Sequence, residues 1–257
     1  MQFETLQISN SPGILKVVFS TPKGSNCITL QFLREMHSVL DLAETDLTCK
    51  MISLEGTNGI FSVGMDMEEA KGEEPSSMAA AKRAAESFVG LLRRFTSIPR
   101  VVISKVDGSV MGGGIGIVAA SDLVIASERS RFALPEALWG IVPCCVMPFL
   151  IRRIGFQSAY AMALTTFPKT AQEAERARLA DIVANDVDAV SSKYADRIQK
   201  IQARTILDLK GFFAKLHGLP AAAEQVAIDE FTRIITLDEV KTSIARYVKE
   251  RKFPWEP

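Results

Sequence analysis

Three consecutive glycines, Gly112 to Gly114, lie between an apolar strand-like segment and an apolar helix-like segment. Glycine inside a helix costs about 0.5–1 kcal/mol relative to alanine, so something must require the missing side chains. The first amide groups of a helix have no partner within it and carry the positive end of its dipole. The run is therefore expected to bind a full or partial negative charge through its backbone. The alternative is close packing of a helix on a strand, and the run alone does not decide between the two.

The run does not match the nucleotide-binding glycine motifs. It lacks the Lys-Ser/Thr ending of a P-loop, and in a G-x-G-x-x-G pattern counted from Gly112 the last glycine would fall on Ile117. A phosphate site is therefore the weaker interpretation.

A second loop, FSVGMDMEEA, has related features because Gly64 precedes a predicted helix that begins near Met67. Asp66, followed three residues later by Glu69, is typical of a capping pair, so an N-cap is the simplest prediction for Asp66. The functional alternative is that the Met65 amide and a glycine amide of the first loop converge on one oxygen. Two such donors form an oxyanion hole, and loss of one donor typically costs about 10²–10³ in rate.

A single glutamate, Glu136, follows a proline in the sequence LPEALWG. This pattern is typical of the first turn of a short helix. Its apolar neighbours would raise its pKa toward the range that is useful for proton transfer. Cys144 and Cys145 follow nearby and are expected to line the same region, since no histidine partner for a thiol nucleophile is apparent.

Composition limits the other classes of function. The 257 residues include 30 basic and 30 acidic residues and are 47% hydrophobic, which predicts a large core and no general affinity for nucleic acid or an anionic membrane. The longest apolar runs, such as 115–120, are too short to span a bilayer, and the N-terminus lacks the pattern of a signal peptide. Adjacent cysteines fit reduced thiols and a cytoplasmic location, and only two histidines are present.

The elements that would position these loops alternate between strands and helices. Apolar patterns predict strands at 3–9, 13–20, 50–56, 100–108 and 122–127, and helices at 29–45, 76–96, 156–166, 171–178, 187–203, 204–216, 221–236 and 238–249. This order indicates an α/β fold with a mostly parallel sheet in the first half and helices from about residue 146 onward.

In this order, the motifs FSVGMDM, DGSVMGGGIGI, SDLVIAS and FALPEALWGIVP resemble the crotonase (enoyl-CoA hydratase/isomerase) superfamily over essentially the whole chain. The resemblance implies a ββα superhelix with a C-terminal helical trimerisation region, here divided into a core at 1–200 and a helical region at 201–257. It also implies an oxyanion hole for a thioester carbonyl, with backbone donors at Met65 and Gly113. The implied substrate-binding residues are Val63, Met65, Asp66, Met67, Lys82, Gly112 and Gly113.

The carboxylates of the family are only partly present. Typical hydratases have one glutamate two residues after the triple glycine, where this chain has Gly116, and another in a Pro-Glu pair, where it has Glu136. The resemblance therefore makes Glu136 the leading acid–base group and Asp66 the second catalytic candidate. It implies no cofactor and no metal.

The stretches LPEALWGIVPCCVMPFLIRRIG and IARYVKERKFPWE resemble a subgroup, the dehydratases of polyketide β-branching cassettes. The implied reaction is that of a hydro-lyase, which converts 3-hydroxy-3-methylglutaryl-acyl carrier protein to the 3-methylglutaconyl thioester. The distal carboxylate of this substrate needs a cation, for which Lys82 and Arg83 are candidates. An isomerase or decarboxylase of the same superfamily remains open, as does a non-catalytic scaffold, which Gly116 would favour.

The resemblance also implies partners. The substrate would be carried on the phosphopantetheine of an acyl carrier protein or on CoA, and the chain would form a homotrimer or a hexamer. An acidic carrier would be steered by basic residues near the cavity mouth. The candidates are Lys82, Arg83, Arg93, Arg94, Arg152, Arg153, Lys210 and Lys215.

Overall fold

A computed structural model of the chain describes residues 3–71 and 78–256. The first two positions of the helix predicted at 76–96 lie outside these ranges. The strands are β1 (Leu6–Ser11), β2 (Ile14–Phe19), β3 (Cys27–Ile28), β4 (Met51–Glu55), β5 (Ile60–Ser62), β6 (Gly64–Met65), β7 (Val101–Val106), β8 (Ser109–Met111), β9 (Leu123–Ser127), β10 (Arg131–Ala133), β11 (Lys169–Thr170) and β12 (Ile182–Ala184).

The helices, in chain order, are α1 (Leu30–Thr45), α2 (Met67–Lys71), α3 (Met78–Ser97), α4 (Gly113–Ala120), α5 (Met147–Ile154), α6 (Phe156–Thr165), α7 (Ala171–Arg176), α8 (Val187–Ile198), α9 (Ala203–His217), α10 (Ala221–Ile235) and α11 (Asp238–Glu250). A 3₁₀ turn, Glu136–Trp139, lies between β10 and α5. Within the described ranges, no helix combines the length and apolar character needed to cross a bilayer.

The largest sheet of the described residues has the strand order β1-β2-β4-β7-β9-β12. The hairpin of β1 and β2 is antiparallel, with Leu6 opposite Phe19, and the remaining neighbours are parallel. The predicted hairpin and mostly parallel sheet are therefore confirmed.

A second sheet with the order β11-β10-β8-β5 lies beside the first. A strand of the large sheet is followed by a strand of the second sheet and then by a helix, as in β7, β8 and α4. The unit recurs along the chain and forms the expected ββα superhelix, in which β5, β8 and β10 stack as parallel neighbours. In each unit, the chain bends between the strand of the large sheet and the strand of the second sheet. The bend therefore determines the position of the loop that follows the second strand, and with it the position of the loops of the site.

Gly108 forms the bend between β7 and β8. Its φ is +127°, which L side chains rarely adopt, and a β-carbon there would overlap the carbonyl group of Gly59 in the preceding turn of the superhelix. Only glycine allows successive turns to approach this closely. The carbonyl of Gly59 accepts a hydrogen bond from Ser109 N at 2.9 Å, which joins the two turns.

The core lies between the large sheet and the helices that follow it. Phe19, Phe32 and Phe61 pack edge to face at its centre, with ring centroids 5.0 and 5.1 Å apart. Seven of the eight residues of α4 are buried, so this helix is covered all round by other elements. A helix buried in this way is held rigidly, and its first turn is a fixed part of the site.

The C-terminal helices pack on the first half of the chain. Glu224 at the start of α10 is buried and accepts hydrogen bonds from the Arg93 guanidinium of α3. The short strands β11 and β12 lie in the gaps between helices predicted from the sequence, and strands of two and three residues have no periodicity to detect. The division into regions at residue 200 stays a prediction.

Candidate active site

An apolar cavity of about 370 Å³ lies where α3, the first turn of α4 and the 3₁₀ turn meet. Its described lining includes the expected residues Val63, Met65, Asp66, Met67, Gly112, Gly113 and Glu136. Pockets of this volume with few polar groups are typical small-molecule sites. Two glycine loops and one glutamate, which are far apart in the sequence, are thus brought to one cavity.

The two glycine loops are in direct contact. A β-carbon on Gly64, whose φ is +84°, would lie 2.9 Å from the amide nitrogen of Gly113 and 3.0 Å from the carbonyl oxygen of Met111. Ser62 fixes the first loop, since its hydroxyl donates to the Asn26 carbonyl at 2.8 Å and accepts from Gly64 N at 3.2 Å. The absence of a side chain at position 64 is therefore what allows the loops to meet.

The glycine run begins helix α4, as predicted. Gly112 is the N-cap with a φ of +52°, and its own N–H donates to the Ala133 carbonyl at 3.1 Å. Gly113 is the first helical residue, so its N–H has no acceptor within the helix and lies at the positive end of the dipole. Met65 lies across from it on β6, which pairs in parallel with β3.

Asp66 is the N-cap predicted from the sequence. Its Oδ1 accepts from the amides of Glu68 at 2.8 Å and Glu69 at 3.3 Å, while Oδ2 lies 3.5 Å from the Lys23 ammonium. The expected reciprocal capping by Glu69 does not form, because the Glu69 carboxylate accepts from the Leu30 amide at the start of α1. Both carboxylates line the cavity, but each already holds a helix terminus.

Glu136 begins the 3₁₀ turn after Pro135, in agreement with the prediction for a Pro-Glu pair. Its Oε2 is buried and has no hydrogen-bond partner among the described residues. Burial raises the pKa of this carboxyl from the ordinary 4.5 to about 7. A β-carbon built on Gly112 would lie 3.2 Å from Glu136 Oε1, so the carboxyl group lies directly against the glycine run.

The place of the second family glutamate is occupied by apolar side chains. A β-carbon on Gly116 would lie 3.1 Å from Leu92 Cδ1, 3.1 Å from Phe88 Cζ and 3.3 Å from Val146 Cγ2. All three of these atoms belong to apolar side chains, so they offer no polar partner to a carboxylate placed among them. Of the two family positions, only that of Glu136 therefore carries a carboxylate here.

Cys144 and Cys145 line the cavity, as expected. Burial raises the pKa of the Cys144 thiol to about 11, and it also raises the pKa of Cys145. Both are therefore thiols at neutral pH, which makes them poor nucleophiles.

The two cations expected near the acyl chain differ in position. The Lys82 ammonium lies 3.6 Å from Asp229 on α10, and Lys82 is not among the described lining residues. Arg83 is a lining residue.

Phe88, which the sequence did not single out, also lines the cavity, and its ring lies beside both Gly113 and Gly116. The sequence signal that could have identified Phe88 is its position four residues after Ala84, on the same apolar face of α3.

The paired basic residues expected to form a docking patch are largely used within the chain. Arg93 binds Glu224, and Arg94 binds Asp41 and Glu44. The Arg153 side chain is 9% exposed and pairs with Asp181, and the Lys210 side chain is 10% exposed with its ammonium 2.7 Å from Asp122. The sequence could not separate these from free surface charges because their acidic partners are distant along the chain.

Comparison with known proteins gives a consistent assignment. The family model described as enoyl-CoA hydratase/isomerase matches residues 9–257. The bacillaene synthase dehydratase PksH of Bacillus subtilis is 32% identical over 254 residues, which cover 99% of this chain and 97% of that protein. The mevalonyl-coenzyme A hydratase sidH of Aspergillus fumigatus is 26% identical over 259 residues, with coverage of 96% and 93%.

A solved structure of PksH from Bacillus subtilis superposes with a TM-score of 0.89 at 30% identity, covering 98% of this chain and 100% of that one. Both the sequence match and the superposition extend over nearly the full chain. The chain therefore belongs to the enoyl-CoA hydratase/isomerase family, the crotonase superfamily, and is a hydro-lyase of that family.

Proposed function

We propose that the protein dehydrates 3-hydroxy-3-methylglutaryl-acyl carrier protein to the 3-methylglutaconyl thioester in polyketide biosynthesis. One observation carries the proposal: the Glu136 carboxyl, whose buried Oε2 has no hydrogen-bond partner in the described part of the chain, lies against the glycine run that begins α4. A base placed beside an oxyanion hole is the arrangement needed to remove a proton next to a thioester carbonyl. The relation to PksH, a bacillaene synthase dehydratase, supports the pathway.

In the first step, the thioester oxygen accepts hydrogen bonds from the amides of Met65 and Gly113. Glu136 removes a proton from C2, and the electron pair of the C–H bond delocalises onto the carbonyl oxygen as an enolate. The amides at the start of α4 stabilise this charge as it develops. Because these donors are fixed by backbone packing, they need little reorganisation during the reaction.

In the second step, the enolate re-forms the carbonyl, a C2–C3 double bond forms and the C3–O bond breaks. The leaving hydroxyl takes a proton and departs as water. We assign this proton to Glu136, which received one in the first step, so that the carboxylate returns to its initial state. Asp66 is the alternative donor, but its Oδ1 is already bound to two backbone amides of α2.

The proposed function includes an acyl carrier protein, which delivers the acyl chain on its phosphopantetheine; the alternative carrier is CoA.

We also propose a homotrimer, or a hexamer built from two trimers, assembled through a C-terminal region at 201–257. Exposed apolar residues of α9, among them Phe212 (56% exposed) and Phe213 (61%), support this assembly, because monomers seldom expose a large apolar patch. Light scattering on the protein and on a Phe212→Ser/Phe213→Ser variant would test it, and a monomeric parent protein would contradict it.

The activity is tested by loading an acyl carrier protein with 3-hydroxy-3-methylglutaryl and measuring its mass with and without the enzyme. Loss of one water supports the proposal, and Glu136→Gln should abolish the loss. Conversion of a 3-enoyl thioester to its conjugated isomer, without dehydration, would instead indicate the isomerase reaction. No change in either substrate would indicate a binding scaffold.

A further inference from the structure

One face of helix α3 forms a wall of the cavity and is built mostly of small side chains. Ala80, Ala81, Ala84, Ala85 and Phe88 line it, at the spacing of a single helical face. Phe88 marks the inner end of this wall, since a β-carbon on Gly113 would lie 3.4 Å from Phe88 Cζ. The wall therefore leads from Gly113, the proposed oxyanion donor, toward the N-terminal end of α3.

Arg83 is the one cationic side chain in the described lining of this cavity. Within residues 3–71 and 78–256, no hydrogen bond or ion pair engages its guanidinium. The neighbouring Lys82 differs, because its ammonium faces Asp229 on α10. Of the two adjacent cations, only Arg83 combines a place in the cavity with a free charge in the described part of the chain.

The carboxylates of the cavity do not neutralise Arg83. Asp66 caps α2 and approaches Lys23, and Glu69 accepts from the Leu30 amide of α1. Asp66 and Glu69 are thus held by other partners, Glu136 lies at the glycine run, and within residues 3–71 and 78–256 no carboxylate pairs with the Arg83 guanidinium.

The separation along α3 suits a short acyl chain. Arg83 precedes Phe88 by five residues, which corresponds to about 7.5 Å along a helix axis at 1.5 Å per residue. The long side chain of arginine can cover part of this span toward the thioester carbonyl. A carboxylate at the far end of a glutaryl skeleton lies a few carbon–carbon bonds from that carbonyl, within the same span.

We propose that Arg83 binds the free carboxylate of the acyl chain and selects dicarboxylic over neutral acyl thioesters. The proposal rests on the function above, because it assumes that the acyl group enters between α3 and the glycine run. A guanidinium suits this task since it can bind a carboxylate through two parallel N–H···O bonds. Arg83 acts as a specificity-determining residue and takes no part in the proton transfers.

The test compares Arg83→Gln with a matched control, Lys82→Gln, which removes the adjacent charge outside the cavity lining. Each variant is given 3-hydroxy-3-methylglutaryl-acyl carrier protein and the 3-hydroxy-3-methylbutyryl form, which lacks the distal carboxylate. Arg83→Gln should raise KM for the dicarboxylic substrate about tenfold, as expected for one partly solvated charge-assisted pair, and leave the neutral substrate unchanged. Lys82→Gln should leave the preference between the two substrates unchanged, and Arg83→Lys should restore part of the selectivity.

Two results separate this proposal from the proposed function. If the parent enzyme dehydrates the substrate and Arg83→Gln has an unchanged preference, the role of Arg83 is overturned while the function stands. If the parent enzyme dehydrates neither substrate, calorimetry with unreactive glutaryl- and butyryl-pantetheine tests Arg83 by itself. Tighter binding of the glutaryl form by the parent protein but not by Arg83→Gln supports the role, and equal affinities overturn it. Equal melting temperatures of the parent and variant exclude misfolding, which is not expected at this exposed position.

Discussion

Gly64 and Gly113, 49 positions apart in the sequence, approach so closely that a single β-carbon on Gly64 would lie 2.9 Å from the Gly113 amide nitrogen. This contact joins the loop that carries Met65 to the first turn of the buried helix α4. It is maintained by Ser62, which binds the loop on one side, and by Ala133, which binds Gly112 on the other. The proposed oxyanion hole thus depends on backbone geometry, and no side chain supplies its donors.

Replacing Gly64 with alanine should therefore separate the two amides. The new methyl group would meet backbone atoms, which can move only with the loop, so we expect kcat to fall about 10²–10³-fold, as for loss of one oxyanion donor. Gly59→Ala is the matched control, because Gly59 has a similar φ of +71° but open space around its β-carbon position. Both variants carry the same backbone strain. An equal loss of kcat in the two would show that strain alone, and not the Gly64–Gly113 contact, reduces activity.

The rate of dehydration should depend on the ionisation of Glu136. Because the base must be deprotonated and burial raises its pKa to about 7, kcat/KM should fall about tenfold for each pH unit below 7. Glu136→Gln should lower kcat by about 10³-fold or more, whereas Asp66→Asn should lower it less than about tenfold and keep the midpoint. A pH profile of the parent enzyme with both variants checks this. A midpoint near 4.5, or a larger loss in Asp66→Asn, would contradict the assignment of both proton transfers to Glu136.

The same pKa predicts how stability depends on pH. The folded-state pKa of Glu136 lies above the unfolded value of 4.5, so between these values the folded protein binds more protons, and stability falls as pH rises. The difference between 4.5 and about 7 corresponds to about 3 kcal/mol, which is fully present below pH 4.5 and lost above pH 7. Glu136→Gln removes this titration. Urea unfolding at pH 5 and pH 8 should therefore show a smaller decrease in the free energy of unfolding for the variant, and equal decreases would argue against a buried Glu136 carboxyl with a raised pKa.

A substitution at position 116 would test whether the glutamate that typical hydratases have there can be restored in this protein. Gly116→Glu would place a carboxylate among Phe88, Leu92 and Val146, and we expect it to lower the free energy of unfolding by about 3 kcal/mol or more without increasing activity. Gly116→Ala is the control for crowding by the β-carbon, and its effect should be much smaller because the contacting atoms are the ends of side chains. Denaturant titration and the dehydration assay on both variants measure the two effects. A stable and more active Gly116→Glu variant would show that the pocket can rearrange to hold a second carboxylate.

Much of this architecture could be predicted because its signals are local. The hairpin, the parallel strands and the helix after the glycine run follow from periodicity and glycine placement, and the cap at Asp66 follows from a short spacing. The pair Cys144 and Cys145 was correctly expected at the cavity from its place after Pro143. Each of these features is indicated by a pattern that spans a few neighbouring residues, so it can be recognised in the sequence alone.

The features that could not be predicted depend on distant contacts. Whether Lys82 or Arg83 reaches the cavity depends on the rotation of α3 against α10, which no local pattern encodes. The internal ion pairs of Arg93, Arg153 and Lys210 have partners 28 to 131 positions away, so these residues resembled free surface charges. The strands β11 and β12 are too short for a periodic signal and form only because neighbouring strands offer an edge.

The C-terminal segment gives a final prediction because it packs on the turn that carries Glu136. Trp139, the last residue of that turn, makes edge-to-face contacts with Tyr247, Phe253 and Trp255, with ring centroids 4.9, 5.9 and 6.1 Å apart. Arg251 also reaches Glu68 of α2 at 2.8 Å. The segment therefore contacts both the turn that bears the proposed base and the helix that follows the Met65 loop.

Truncation after Glu250 should loosen this turn and leave the fold intact, since among the described residues the main core includes none beyond that point. We expect a loss of about 1–3 kcal/mol from two aromatic contacts and a fall in kcat, because the position of Glu136 is altered. The chain has two tryptophans, so truncation leaves Trp139 alone, and Trp255→Phe provides a full-length control with the same single fluorophore. Red-shifted emission in the truncated protein relative to that control would show that Trp139 has become exposed. Arg251→Gln removes only an exposed ion pair and should change stability by less than about 1 kcal/mol. If truncation leaves both the emission and kcat at the values of the control, the segment does not position Glu136.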